Sequence, residues 1–310
     1  MTPTSPGDVD SGRPDGYRSG FAALIGRPNV GKSTLLNALV GHKVAIVSDK
    51  PQTTRNRILG VRHFPGGQVV FVDTPGLHKP RHLLGERMVR SALGALDGID
   101  IVCLVVDLSE PAPGEGDRAA AEAVSRAAAP VLLVGNKRDR VPRQELESRL
   151  LAYRALGDFA AALAVSAVTG EGLDGLVDAL RAHLPEGPEY FPDDQVTDQP
   201  EQRVAAELIR EQVLHLTRDE VPHSVAVAID EFARRPNGVL YVAATIYVER
   251  ESQKGIIIGR GGRMLKAIGQ GARQEIEALL GTRAFLELHV KVKPDWRNRA
   301  GSLEELGFHE

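Results

Sequence analysis

The stretch "GRPNVGKST", residues 26–34, lies between two apolar runs, "FAALI" and "LLNALV". Its Gly26-x-x-x-x-Gly31-Lys32-Ser33 spacing is that of a phosphate loop between a strand and a helix. Glycines let backbone N–H groups turn toward phosphate oxygens, and the start of the following helix adds positive potential. Phosphate contacts are expected from Gly26, Arg27, Pro28, Asn29, Val30, Gly31, Lys32, Ser33 and Thr34. Among them Lys32 would reach the β- and γ-phosphates, and the Ser33 hydroxyl would face Mg²⁺. About forty residues on, "VVFVDTPG" ends an apolar run in Asp73, where a carboxylate would hold the Mg²⁺ shell through water. Thr74, Pro75, Gly76 and Leu77 follow, with the Gly76 N–H placed for the γ-phosphate. Many nucleotide hydrolases orient the attacking water with a glutamine at the position held here by Leu77, whose side chain has no hydrogen-bonding group.

The base is specified by Asn136-Lys137-Arg138-Asp139 after "PVLLVG". Guanine presents two donors on one edge, N1–H and the exocyclic amine, and one carboxylate can accept both; adenine offers no such pair. Asp139 is the candidate for that role, with Lys137 along the base face and Asn136 tying this loop to the phosphate loop. Ser166 and Ala167, ending "LAVSA", would close the pocket with backbone N–H groups on the guanine carbonyl. Four elements in this order favour GTP over ATP.

These residues need a scaffold, and the spacing supplies one. From Phe21 to about Leu184, the apolar runs "FAALIG", "VVFVD", "DIVCLVVD", "PVLLVGNK" and "ALAVSA" alternate with segments of helical period. Apolar strands separated by amphipathic helices predict an α/β domain with a mostly parallel sheet covered on both faces. Residues 184–202 hold four prolines and several acids and read as a linker. Beyond it the order is helix, strand, strand, helix, helix, strand, an α+β layout. The predicted division is a disordered tail at 1–19, a nucleotide domain at 20–184, a linker at 185–202, a second domain at 203–300 and a tail at 301–310.

The net charge of −3 argues against a polyanion-binding chain, but the charge is segregated. Residues 250–300 carry 11 Lys+Arg against 5 Asp+Glu, a local +6, whereas residues 191–249 carry 5 against 11. No window has the roughly 18 consecutive apolar residues of a membrane span. The first twenty residues, rich in Pro, Gly and Ser, lack the apolar core of a signal peptide. A single cysteine, Cys103, forms no internal disulfide; it reads as a small core residue and fits a reducing cytoplasm.

With the phosphate loop, D-T-P-G and N-K-R-D in place, the chain resembles the translation-factor-like GTPases. "KPQTTRNR", residues 50–57, resembles the first switch of the Era subgroup. The resemblance implies a threonine that completes the Mg²⁺ shell and touches the γ-phosphate: Thr54, with Thr53 the alternative. It also implies that Asn29 could hold K⁺ beside the phosphates, where a cation would do the work of an arginine finger; the alternative is that Asn29 only stabilises the loop. Asn29, Lys32, Thr54 and Gly76 are then the expected catalytic residues, and Ser33, Thr54 and Asp73 the expected Mg²⁺ ligands.

In the second domain, "KGIIIGRGGRMLKAIG" places Gly259-Arg260-Gly261-Gly262 inside the basic block. With the order of elements above, it resembles a type II KH domain, in which such a loop clamps about four single-stranded nucleotides. Expected RNA contacts are Lys254, Ile257, Ile258, Gly259, Arg260, Gly261, Gly262, Arg263 and Lys266, with Arg273 on phosphate and Ile256 and Ile268 in an apolar groove. Core packing is the alternative for half of these isoleucines. GTPase, acidic linker and KH module is the arrangement of the Era family, which "DQVTDQP" and "PHSVAV" also resemble. That resemblance implies binding near the 3′ end of 16S rRNA, a role in 30S ribosomal subunit maturation, nucleotide-gated RNA access, a monomer, and a cytoplasmic pool partly associated with the membrane. A signalling switch whose second domain binds protein or lipid head groups is the competing reading.

Overall fold

The computed structural model describes residues 16–309. The predicted tail at 1–19 therefore lies mostly outside the described residues, and its last two residues already belong to a strand. The first domain runs β1 (Arg18–Ile25), α1 (Lys32–Val40), β2 (Ile58–Phe64), β3 (Gly67–Asp73), α2 (Leu83–Gly94), β4 (Ile101–Asp107), α3 (Glu115–Val124), β5 (Val131–Asn136), α4 (Leu146–Arg154), β6 (Ala161–Ala164) and α5 (Leu173–His183). Its sheet has the order β2-β3-β1-β4-β5-β6. Period-two alternation divides β1, β4, β5 and β6 between two cores. Ala22 and Leu24 join one with Leu35 and Leu176; Ala23 and Ile25 join the other with Val124 and Tyr153. All seven residues of β4 are buried, so that strand reads as one continuous apolar run. Cys103 is a core residue there, its thiol pushed up to about 12 by burial.

The sheet has one strand more than the five apolar runs predict. β2 pairs antiparallel with β3, from Ile58 against Asp73 to Phe64 against Gly67. Gly60 and Arg62 interrupt its apolar alternation, and it lies at the sheet edge.

The proline-rich segment is bound along that side of the domain rather than free. Val61 N donates to Val196 O, and Thr197 Oγ1 to Leu59 O. Gln68 accepts from Tyr190 N and Phe191 N, and Gln199 Nε2 donates to Val44 O. Its prolines and acids were legible as irregular chain; its hydrogen bonds to the β2 edge were not.

The second domain runs α6 (Glu201–Leu216), β7 (Ala226–Arg234), β8 (Leu240–Val248), α7 (Glu251–Ile258), α8 (Arg263–Leu280), β9 (Ala284–Val292) and α9 (Ala300–Glu305). β7 and β8 are antiparallel, and β9 adds parallel to β8. Leu240, Val242, Ala244, Ile246 and Val248 point from one sheet face into a core shared with Leu208, Ile209, Ile268 and Ile276 of α6 and α8. Residues 301–309, expected as a tail, include most of α9, and Phe308 stacks on Trp296 with centroids 5.8 Å apart. Among the described residues no helix is long and apolar enough to cross a membrane.

Candidate functional site

β1 ends at Ile25 and α1 starts at Lys32, so residues 26–31 form the loop between them. Gly31 has φ 95°, and a Cβ there would lie 2.4 Å from Asn136 Nδ2. Only glycine allows both that backbone conformation and that approach. Gly26 is confined by packing alone: a Cβ there would lie 2.3 Å from Val105 O. Val30 is fully buried and serves the core, while the Arg27 side chain turns to Asp117 at 3.0 Å. Of these two, only the backbone is left for the expected phosphate contacts.

Three oxygens converge at the end of this loop. Ser33 Oγ lies 2.6 Å from Thr54 Oγ1 and donates at 2.6 Å to Asp73 Oδ2, which Thr54 Oγ1 approaches at 3.3 Å. Thr53 instead donates to Lys50 O, so Thr54 is the threonine brought into the site. Asp73 Oδ1 is buried and has no hydrogen-bond partner among the described residues, an acceptor suited to a metal-bound water. Burial raises the Asp73 carboxyl above its ordinary value, against the opposing pull of Lys32, Ser33 and Thr54. Burial also lowers Lys32 to about 8, and its ammonium donates to Gly26 O and Arg27 O at 3.1 Å. The site thus holds a buried cation and a buried anion, each at a cost that a phosphate and a divalent metal would relieve.

Gly76 approaches the phosphate loop closely: a Cβ there would stand 2.7 Å from Pro28 N. Thr74 is buried and donates to Leu24 O, holding the D-T-P-G turn to β1. Leu77 donates its N–H to Gly26 O, and its side chain packs against the core beside α3. His78 instead bridges the first switch and the D-T-P-G turn, with Nε2 3.0 Å from Gln52 Nε2 and Nδ1 2.8 Å from Gly76 O. Sequence reasoning passed over both Gln52 and His78, because neither carries a spacing signal. Asn29, at φ 64°, donates from Nδ2 to Asp49 O at 2.8 Å, joining the phosphate loop to the first switch.

The residues expected on the base side lie together. Asn136 donates to Val30 O at 2.9 Å and accepts from Ala167 N at 3.0 Å, linking three loops. Lys137 donates to Asn29 O at 2.8 Å and to Asp107 Oδ2 at 2.5 Å; Asp107 was missed from sequence. Ser166 Oγ donates to Asp139 Oδ1 at 2.6 Å and fixes the carboxylate. The Arg138 side chain pairs with Glu171 at 2.7 Å, so only its backbone belongs to this loop.

In the second domain, Gly259, Gly261 and Gly262 all have positive φ, and nothing lies within 4 Å of a Cβ at Gly261 or Gly262. The loop backbone is therefore open to solvent between α7 and α8. Arg260, Arg263 and Lys266 are exposed around it and Lys254 is partly so. Beyond the loop, a groove of about 480 Å³ runs between α8 and β9, lined by Leu265, Lys266, Gly269, Arg273, Phe285 and Leu288 among others. Ile257 is no part of it. Helical spacing turns that side chain inward, where it is fully buried with Ile268, while Ile256 on the adjacent face is 44% exposed and Ile258 partly so. Phe285, 59% exposed and stacked on Tyr241, is the groove aromatic that sequence reasoning missed.

Residues 21–137 match the family described as 50S ribosome-binding GTPase, and residues 220–297 match the KH domain. GTPase Era of Heliobacterium modesticaldum is 54% identical over 293 residues, 94% of this chain and 98% of that one. This chain belongs to the Era family of GTPases. As such it hydrolyses GTP and carries a KH module. Two solved Era structures are similar along nearly the whole length, each 39% identical and covering 94% of this chain. One, with MgGDPNP and nucleotides 1506–1542 of 16S ribosomal RNA, superimposes with a TM-score of 0.90 and is 99% covered. The other, an Aquifex aeolicus Era variant bound to GDP and AlF4⁻, gives 0.89 and is fully covered.

Proposed function

We propose that this chain is a GTP-switched RNA-binding protein acting on the 3′ end of 16S rRNA during 30S subunit maturation. The observation that carries the reading is the convergence of Ser33, Thr54 and Asp73 at a phosphate loop whose first switch also touches the KH domain. Ser33 and Thr54 would hold Mg²⁺ directly, and Asp73 through water by its unpartnered Oδ1. When bound, the metal neutralises β- and γ-phosphate charge. Lys32 and the Gly76 N–H bind the γ-phosphate oxygens where negative charge develops, and the loop N–H groups hold the β-phosphate. Asp139, held by Ser166, selects guanine. Since Leu77 cannot orient water, the Asn29 side chain is the candidate K⁺ ligand that would add positive charge beside the phosphates.

The KH loop and its groove suit a single strand. Open glycine backbone admits phosphates, exposed arginines and lysine neutralise them, and an apolar wall with Phe285 accepts bases. The related Era–RNA complex supports 16S rRNA as the ligand. The protein is read as a cytoplasmic monomer with a peripheral membrane-associated fraction. Filter binding with a short 16S 3′-end RNA tests the assignment. Gly261→Asp with Gly262→Asp should abolish binding and leave GTP affinity nearly intact; undiminished RNA binding would move the RNA site elsewhere.

A further inference from the structure

The segment from Lys43 to Arg55, which runs into the first switch, is built largely against the second domain. Ile46 is buried in the KH core beside Leu208 and Ile209. Lys43 Nζ donates to Glu211 at 2.6 Å and Glu275 at 3.0 Å, and Val47 N donates to Glu211 at 2.9 Å. The grip is tightest around Thr54. Arg210 of α6, 1% exposed, donates to Thr53 O and is held by Glu207 at 2.5 and 2.9 Å. On the other side of Thr54, the buried Arg55 guanidinium donates to Val225 O at 2.6 Å.

Burying a guanidinium is costly, and Arg210 Nη1 has no hydrogen-bond partner among the described residues. Here the charge is matched by Glu207, whose carboxyl Arg210 holds below its ordinary value despite burial. What the fork fixes beyond that pair is one carbonyl. The carbonyl of Thr53 and the N–H of Thr54 belong to the same rigid peptide plane. A bond to that oxygen therefore sets the orientation from which the Thr54 side chain departs toward Ser33 and Asp73.

We infer that Arg210 is a positioning residue for GTP hydrolysis, acting from the KH domain through the Thr53 carbonyl to hold Thr54 in the metal site. This rests on the assignment of Thr54 proposed above. GDP has no γ-phosphate for Thr54 to sense, so the effect should separate the two nucleotides.

The test uses the full chain with Arg210→Met. Affinity for a non-hydrolysable GTP analogue with Mg²⁺ should fall about tenfold or more, with GDP affinity changed less than about twofold. Single-turnover hydrolysis at saturating GTP should fall by about tenfold or more, and Arg210→Lys, which keeps one donor and the charge opposite Glu207, should recover part of it. Equal losses for both nucleotides, or parent-like values for both, would overturn the inference. If Arg210→Met does not fold, Arg210→Gln, which keeps a polar head but not the charged fork, carries the same test, with the same split expected and its absence counting against the inference. Thr54→Ala separates the two readings. A parent-like Thr54→Ala refutes the metal-site assignment, whereas a defective Thr54→Ala beside a parent-like Arg210→Met refutes only the positioning role.

Discussion

Thr54 and Arg55 are neighbours in the chain and act on different domains. Thr54 Oγ1 lies 2.6 Å from Ser33 Oγ at the phosphate loop, while the Arg55 guanidinium donates to Val225 O and lies 5.8 Å from the centre of the Trp296 ring. Trp296 in turn stacks on Phe308, whose carbonyl accepts from Arg87 of α2, the helix after the D-T-P-G turn. The segment around Thr54 and the helix after the D-T-P-G turn therefore both end on the same C-terminal module. A change of phosphate state at Thr54 has a packed, hydrogen-bonded route to the RNA-binding domain.

The two threonines should differ. Thr54→Ala is expected to lose most of the Mg²⁺ dependence of GTP-analogue binding and about tenfold or more of the hydrolysis rate. Thr53→Ala, which removes only a bond to Lys50 O, should stay within about threefold of the parent. Titration of Mg²⁺ against analogue binding reads the difference, and equal behaviour would return the assignment to Thr53.

Asp139→Asn should weaken GTP binding and admit xanthosine nucleotides, because the amide offers a donor where xanthine has a carbonyl. The loss for GTP should reach at least about a hundredfold, since two guanine donors lose a charged acceptor. Competition binding with both nucleotides measures it; an unchanged preference for GTP removes Asp139 from the base site.

Nucleotide affinity should decline at alkaline pH. Burial leaves the Lys32 ammonium at about 8 in the free protein, and phosphate contact raises it. Binding therefore takes up a proton above about pH 8 and loses up to about tenfold in affinity per further pH unit until the bound-state pKa is reached. Below the free value the ammonium is charged in both states and the term vanishes. GDP titrations between about pH 7 and about pH 9.5 should show that slope, and proton uptake by calorimetry in two buffers should match it.

Replacing K⁺ by Na⁺ at equal ionic strength should slow hydrolysis in the parent and have little effect in Asn29→Ala. The Asn29 amide donates to Asp49 O, so its Oδ1 is the atom that could ligate a cation. Identical ion responses in the two proteins would exclude that role.

Much of this was legible in the sequence because it is local. The phosphate loop, Asp73, N-K-R-D and Ser166 each lie at a strand end, where apolar runs fix the boundary and a short motif names the chemistry. The order of the KH elements followed from the same periodicities. What was missed spans the chain. The bond from Arg210 to Thr53 joins residues 157 positions apart, and that from Arg55 to Val225 joins residues 170 apart. In sequence each reads as an ordinary surface cation. β2 was hidden by its broken alternation at an edge, and Ile257 was placed in the groove because three consecutive isoleucines carry no sign of which one faces inward. The α9 segment and Phe308 read as a tail because part of their packing, against Leu84 and Met88, comes from the other domain.

The central claim is that nucleotide state at the Thr54 site governs RNA binding at the KH groove. The most direct measurement is the affinity for a 16S 3′-end RNA with a GTP analogue and Mg²⁺ against GDP, at one fixed salt concentration because phosphate contacts are screened. The account predicts tighter RNA binding in the GTP-analogue state by about 5- to 150-fold, a coupling of about 1–3 kcal/mol, with RNA raising analogue affinity by the same factor. Equal RNA affinities in the two states would contradict it and leave two independent binding domains on one chain.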